Sequence, residues 1–235
     1  MSTSRTTAVL FDLDGTLVDT EPLYYEATRR LLAHHGVADF TWEQHAGFIG
    51  VGTRETLEVL AARFALAAPV DALLAEENTR YLELLRSSAE VFPQMRKFVE
   101  RLHTAGVPMA VASGSSGEAI DAALAHGGLE GFFTVTASAE EVAAGKPEPD
   151  VFLEAARRLG VPPGACAVIE DSAPGVAAAH AAGMRCLAVP SVPLAPGAEP
   201  EGAFATAELL FPGGHGEFTA EAAYDWLLGT GTQRA

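Results

Sequence analysis

Five short apolar runs, separated by stretches of helical periodicity, limit what this chain can fold into. They lie at 8–11 (A-V-L-F), 107–112 (V-P-M-A-V-A), 132–137 (F-F-T-V-T-A), 165–169 (A-C-A-V-I) and 185–189 (R-C-L-A-V). Runs this short, without polar alternation, suit strands buried on both faces, and strand–helix alternation is the pattern of a parallel α/β sheet. Helices are expected at 93–105, 117–127, 150–159 and 173–182, with Gly106, Gly160 and Gly183 ending three of them. Asp150 after Pro149 reads as an N-cap, and Pro174 suits a first helical turn.

One region departs from this alternation. Between about Pro22 and Glu90 there is only helical periodicity, with helices expected at 22–35, 41–48 (Thr41 and Gln44 forming a capping box), 54–67 and 70–87. This block reads as a second small domain covering the sheet, which divides the chain into a core of 1–20 and 91–235 and an insertion of 21–90. A weak strand near 208–211 and a last helix near 219–228 complete the expected elements.

Composition narrows the partners. Thirty-one acidic against fifteen basic residues give a formal charge of -16, which argues against nucleic acid or an anionic membrane. No apolar run approaches the roughly 18 residues needed to span a bilayer. The opening M-S-T-S-R-T-T has no apolar leader, and Cys166 and Cys186 read as reduced core thiols, so a cytoplasmic protein is expected. Lysine occurs only at 97 and 146. An anionic substrate would therefore need positive charge supplied locally.

The ends of the runs carry the chemistry. The first run stops at Asp12 with Asp14 two residues on, the second at Ser113, the fourth at Glu170 and Asp171, and the third leads through a short loop to Lys146 in G-K-P-E-P-D. Open parallel sheets bind ligands beyond the carboxyl ends of their strands. Carboxylates crowded there need a cation among them, and a hard oxygen set without His or Cys suits Mg²⁺. Lys146 and Ser113 would hold an oxyanion. The whole reads as a metal and an ammonium bracketing a phosphoryl group, with Asp12 poised to attack. Phosphate-monoester hydrolysis requires accelerations up to about 10²¹, and a single acid or base supplies about 10²–10⁴. Asp12 would form an aspartyl-phosphate, Asp14 would serve as acid and base, Gly15 would turn the chain, and Thr16 would bond the nucleophile's carboxylate.

F11-D-L-D-G-T16, Ser113, Lys146 and I169-E-D-S-A-P-G175 together resemble the four ordered motifs of the haloacid dehalogenase superfamily, most closely its helical-cap branch of sugar-phosphate phosphatases and β-phosphoglucomutase. The resemblance covers roughly 8–190. It implies a doubly wound, Rossmann-like parallel-sheet core with an inserted all-helical cap, and dependence on Mg²⁺. By resemblance Asp12 is nucleophile and metal ligand, Asp14 is acid/base and gives its carbonyl to the metal, Ser113 and Lys146 hold the phosphoryl oxygens, Asp171 is a metal ligand, and Glu170 is a ligand or its partner. Arg54, in G50-V-G-T-R-E55, stands where related caps touch the substrate's distal end, or else it is a solvated arginine spaced i,i+4 from Glu58. Tyr24 packs the cap or touches substrate. Thr16 and Gly114, beside Ser113, complete the expected substrate contacts.

Departures from the pattern point to the reaction. Asp14 is present where the superfamily's dehalogenases lack the second Asp. The cap has no lysine of the kind used by phosphonatases and β-phosphoglucomutase, and Tyr24 replaces the mutase's histidine. The expectation is a monomeric phosphatase acting on a small phosphorylated metabolite, with a phosphomutase as the nearest rival. A non-catalytic nucleotide- or flavin-binding domain would show G-x-G-x-x-G where this chain has D-L-D-G-T. The seven histidines show no metal-ligand spacing, His34–His35 reads as a solvated helix end, and Trp42 and Trp226 read as packing residues.

Overall fold

The computed structural model describes residues 6–49 and 51–229; Gly50 and residues 1–5, read above for a leader, lie outside the described residues. In chain order the elements are β1 (Ala8–Phe11), β2 (Val18–Asp19), α1 (Glu21–His34), α2 (Trp42–Ala46), α3 (Thr53–Phe64), α4 (Val70–Ser88), β3 (Glu90–Val91), α5 (Pro93–Thr104), β4 (Met109–Ser113), α6 (Gly117–His126), β5 (Val135–Ser138), α7 (Asp150–Leu159), β6 (Cys166–Glu170), α8 (Ala173–Ala181), β7 (Arg185–Ala188), β8 (Leu209–Leu210) and α9 (Ala220–Leu228). Six strands form one parallel sheet in the order β5-β4-β1-β6-β7-β8. β1 lies at its centre, and connections run outward on both sides, as in a doubly wound α/β fold.

Alternation along the central strands divides the core into two layers. Val9, Phe11, Val111 and Ile169 face α5, α6 and α9, with Phe11 edge-on to Phe98 and Phe133. Leu10, Ala110, Val168 and Cys186 face α7 and α8. Both cysteines are buried free thiols. Helices cover both faces, which explains why the strands carry no polar alternation.

Helices α1–α4 make up the segment between β2 and β3, with small clusters around Leu31, Leu57 and Leu73 and around Leu32, Phe40 and Leu60. Its two ends are joined by an antiparallel ribbon, Val18 opposite Val91 and Asp19 opposite Glu90. That ribbon has no sequence signal, because two residues cannot show a period. The Thr41–Gln44 capping box opens α2 as expected. Among the described residues no helix is long and apolar enough to cross a membrane.

Three local expectations change. β4 begins at Met109, because Pro108 has no N–H for the ladder. Phe132 and Phe133 precede β5 and pack against the core instead of pairing. Asp150 is not an N-cap: α7 starts at Asp150 itself after Pro149, and the Asp150 carboxylate accepts from Ala144 N at 3.2 Å. It therefore ties down the loop that carries Lys146.

Candidate active site

The carboxyl ends of β1, β4 and β6 meet the inner face of the insertion around a cavity of about 230 Å³. Asp12 follows β1, its N–H continuing the ladder to Ile169 O at 3.0 Å, and Gly15 N–H closes the next turn on Val18 O at 2.9 Å. Gly15 has φ +75°, and a Cβ there would collide with the Asp171 carboxylate and the Ser191 hydroxyl. Gly175 likewise leaves room for the Glu170 carboxylate. These two glycines are part of the acidic site's construction.

Lys146 reaches in from the loop before α7. Its ammonium donates to Asp12 Oδ1 at 2.5 Å and Glu170 Oε1 at 2.7 Å, and lies 4.8 Å from the centre of the Phe152 ring. The other Glu170 oxygen accepts from Asp171 N, Ser172 N and Ser172 Oγ at 2.8–2.9 Å, so Glu170 holds both the lysine and the turn that carries Asp171. Asp171 accepts from Ser191 Oγ and, at 3.2 Å, from Thr16 Oγ1.

Oxygens of Asp12, Glu170 and Asp171 lie within 4.8 Å of one another, all three residues buried. Burial raises the Asp12 pKa to about 8 despite Lys146, with Glu170 and Asp14 adding to the rise. Burial and the same crowding raise Asp171 well above the ordinary range. Burial opposes the charge on Lys146, but Asp12 and Glu170 outweigh it and raise its pKa. Three buried carboxylates with one ammonium make a hard, oxygen-only donor set short of positive charge, which fits a divalent cation.

Asp14 is held separately. Its carboxylate accepts from Tyr81 Oη at 2.6 Å, Ser115 Oγ at 2.6 Å and Ser113 Oγ at 3.1 Å. Tyr81 comes from α4 and stacks on Tyr24 at 3.9 Å, whose hydroxyl shares a 2.7 Å hydrogen bond with Ser115 Oγ. The insertion thus touches Asp14 directly.

The expected residues separate accordingly. Asp12, Asp14, Lys146, Glu170, Asp171, Tyr24 and Gly114 all line the cavity. Ser113 is buried behind it, bonding Asp14 and accepting from Ser115 N at 3.0 Å. Thr16 was expected to bond Asp12 and touch substrate; it is buried and bonds Asp171, because the Asp-Gly turn carries it past the strand tip. Arg54 was expected at the substrate's far end or beside Glu58; it is solvent-exposed and pairs with Asp71 at 2.8 Å, outside the cavity. His34 and His35 meet across the two oxygens of Glu76, whose carboxylate also binds Arg80. Four participants escaped the sequence reading: Tyr81, Ser115, Ser191 and Glu77. Glu77 had a legible signal, a carboxylate within the buried i,i+4 ladder Leu73–Glu77–Tyr81–Leu85. Ser191, twenty residues from Asp171, had none.

Glu77 is 2 % exposed, and burial raises its pKa to about 7 against the favourable Thr28 hydrogen bond and His45. A folded-state value above the ordinary 4.5 means the unfolded chain loses its proton first, so stability falls as pH rises from 4.5 toward 7. The loss is about 3 kcal/mol. Glu77→Gln has no such loss and should gain on the wild type by up to about that amount between about pH 5 and pH 8 in urea unfolding; a gap that does not change with pH would contradict this.

Comparison with known proteins agrees with this geometry. The profile of the haloacid dehalogenase-like hydrolases matches residues 9–189. The fructose-1-phosphate phosphatase YqaB of Escherichia coli is 35% identical over 185 residues, covering 79% of this chain and 97% of that protein. The bifunctional riboflavin kinase/FMN phosphatase of Arabidopsis thaliana is 36% identical over 189 residues, 79% of this chain but only 48% of the plant protein, so the chain spans about half its length. Among solved structures, CbbY from Rhodobacter sphaeroides in complex with phosphate superposes with a TM-score of 0.75 at 29% identity, over 88% of this chain and 94% of that one. The chain belongs to the haloacid dehalogenase-like hydrolase family.

Proposed function

We propose that this chain is a Mg²⁺-dependent phosphatase that hydrolyses a small phosphorylated metabolite, with sugar phosphates favoured, through an aspartyl-phosphate on Asp12. The observation that carries this reading is the convergence of Asp12, Lys146, Glu170 and Asp171 in one buried cluster beside a separately held Asp14. The names of relatives such as the Escherichia coli fructose-1-phosphate phosphatase support the substrate class.

In this reading Asp12, Asp171 and the backbone carbonyl of Asp14 would hold Mg²⁺, which would supply positive charge to the phosphoryl group and to the two carboxylates. Asp12 Oδ attacks phosphorus. Lys146, fixed by Glu170, and the cavity-lining Gly114 and Ser115 hold the phosphoryl oxygens, with Ser113 fixing Asp14 behind them. Asp14 protonates the leaving alcohol and then takes a proton from the water that cleaves the aspartyl-phosphate. Residues 21–90 act as a cap over a core of 1–20 and 91–235, and their opening releases product. The protein would work as a cytoplasmic monomer, without a nucleic-acid or membrane partner.

EDTA should abolish phosphate release and added Mg²⁺ restore it; indifference to both would remove the metal from the scheme. Release without a bisphosphate activator separates hydrolysis from a mutase reaction. Tyr81→Phe tests the acid role, since it removes one of three donors that orient Asp14. Kcat/KM covers formation of the aspartyl-phosphate, where an alkoxide leaving group needs a proton and p-nitrophenolate does not. The variant should lose about tenfold on ribose 5-phosphate and distinctly less on p-nitrophenyl phosphate. Equal losses would argue against positioning of Asp14.

A further inference from the structure

The part of the cavity lined by helices α1–α4 contains buried polar atoms without partners. Glu77, 2 % exposed, receives the Thr28 hydroxyl on Oε1, and its Oε2 has no partner among the described protein atoms. His45, 6 % exposed, places Nε2 3.3 Å from Glu21 Oε2. A carboxylate only accepts, so Nε2 donates to Glu21, and Nδ1 is also without a partner among the described protein atoms. Phe48, Ile49 and Val51 give this part an apolar wall. Lys146 is the one lysine or arginine among the lining residues, and it is bound to Asp12 and Glu170. Arg54 is turned outward to Asp71.

Two buried polar atoms without partners call for a ligand that brings O–H groups, which both donate and accept, because leaving such atoms unpaired in a filled, dry pocket is costly. A second anion would face the carboxylates of Glu21 and Glu77. Resting on the phosphatase reading, we propose that Glu77 and His45 are specificity-determining residues. They recognise an uncharged, polyhydroxylated leaving group whose hydroxyls donate to Glu77 Oε2 and pair with His45 Nδ1, and the same pocket rejects substrates bearing a second phosphate or carboxylate.

The test compares kcat/KM near pH 8 for fructose 1-phosphate, fructose 1,6-bisphosphate and p-nitrophenyl phosphate. Wild type should favour the monophosphate over the bisphosphate by about 100-fold or more, since like charges juxtaposed in a binding site cost several kcal/mol. Glu77→Gln keeps the acceptor for Thr28 but turns the free acceptor into a donor, so the fructose 1-phosphate to p-nitrophenyl phosphate ratio should fall by about tenfold. Glu77→Lys should narrow or invert the preference against bisphosphate. Comparable wild-type turnover of both fructose esters overturns the proposal without any variant having to fold, and so does an unchanged ratio in a Glu77→Gln protein that still hydrolyses the aryl ester. If wild type releases phosphate from none of the three, the phosphatase reading itself fails and takes this proposal with it.

Discussion

Asp12→Asn should fold normally and release phosphate at least about 10⁴-fold more slowly than wild type. The substitution is nearly isosteric, and the backbone link from Asp12 N to Ile169 O at 3.0 Å does not involve the side chain. It removes a buried carboxylate whose proton affinity is raised by burial and by Glu170 and Asp14, so the fold loses a crowded charge as well as a nucleophile. Unchanged or increased thermal stability with lost turnover is the expected pair of results. Substantial residual activity would place the nucleophile elsewhere.

Lys146→Ala should damage both chemistry and fold. Among the described residues the ammonium is the one cation bound to Asp12 and Glu170, at 2.5 and 2.7 Å, and it is itself almost enclosed. Without it two buried carboxylates lose their counter-charge, a change that typically costs about 3–5 kcal/mol. Turnover should drop by about 10³-fold, since a cation held against developing phosphoryl charge contributes on that scale. Mg²⁺ should recover part of the lost stability by supplying counter-charge to the carboxylates but should not recover turnover, because the phosphoryl oxygens would still lack the Lys146 donor. Denaturation and phosphate release, each with and without Mg²⁺, separate these effects. Full rescue of activity by the metal would show Lys146 to be a structural counter-ion only.

The elements that position the site were largely legible because they follow from local rules. Buried strands show as apolar runs, and their tips show as Asp12, Ser113, Glu170 and Asp171. What failed to show depends on geometry across the fold. Thr16 sits next to the right residues in sequence, yet the turn at Gly15 delivers its hydroxyl to Asp171, from a strand not its neighbour in sequence. Arg54 lies on α3, and the outward direction of its side chain toward Asp71 is set by packing of α3 against α4. Tyr81 reads as one more aromatic on a helix stripe until the insertion folds back over β1 and brings its hydroxyl 2.6 Å from Asp14. Side-chain direction, more than residue type, was the missing information.

The central claim is that Asp12 carries the phosphoryl group during turnover. Acid-quenching the enzyme within its first turnover on a ³²P-labelled sugar phosphate in Mg²⁺, followed by peptic digestion and peptide mapping at acid pH, is the measurement that tests it. Labile phosphate is expected on the peptide containing Asp12 in wild type and none in Asp12→Asn. Turnover at full rate with that peptide unlabelled, or with label on another residue, would contradict it.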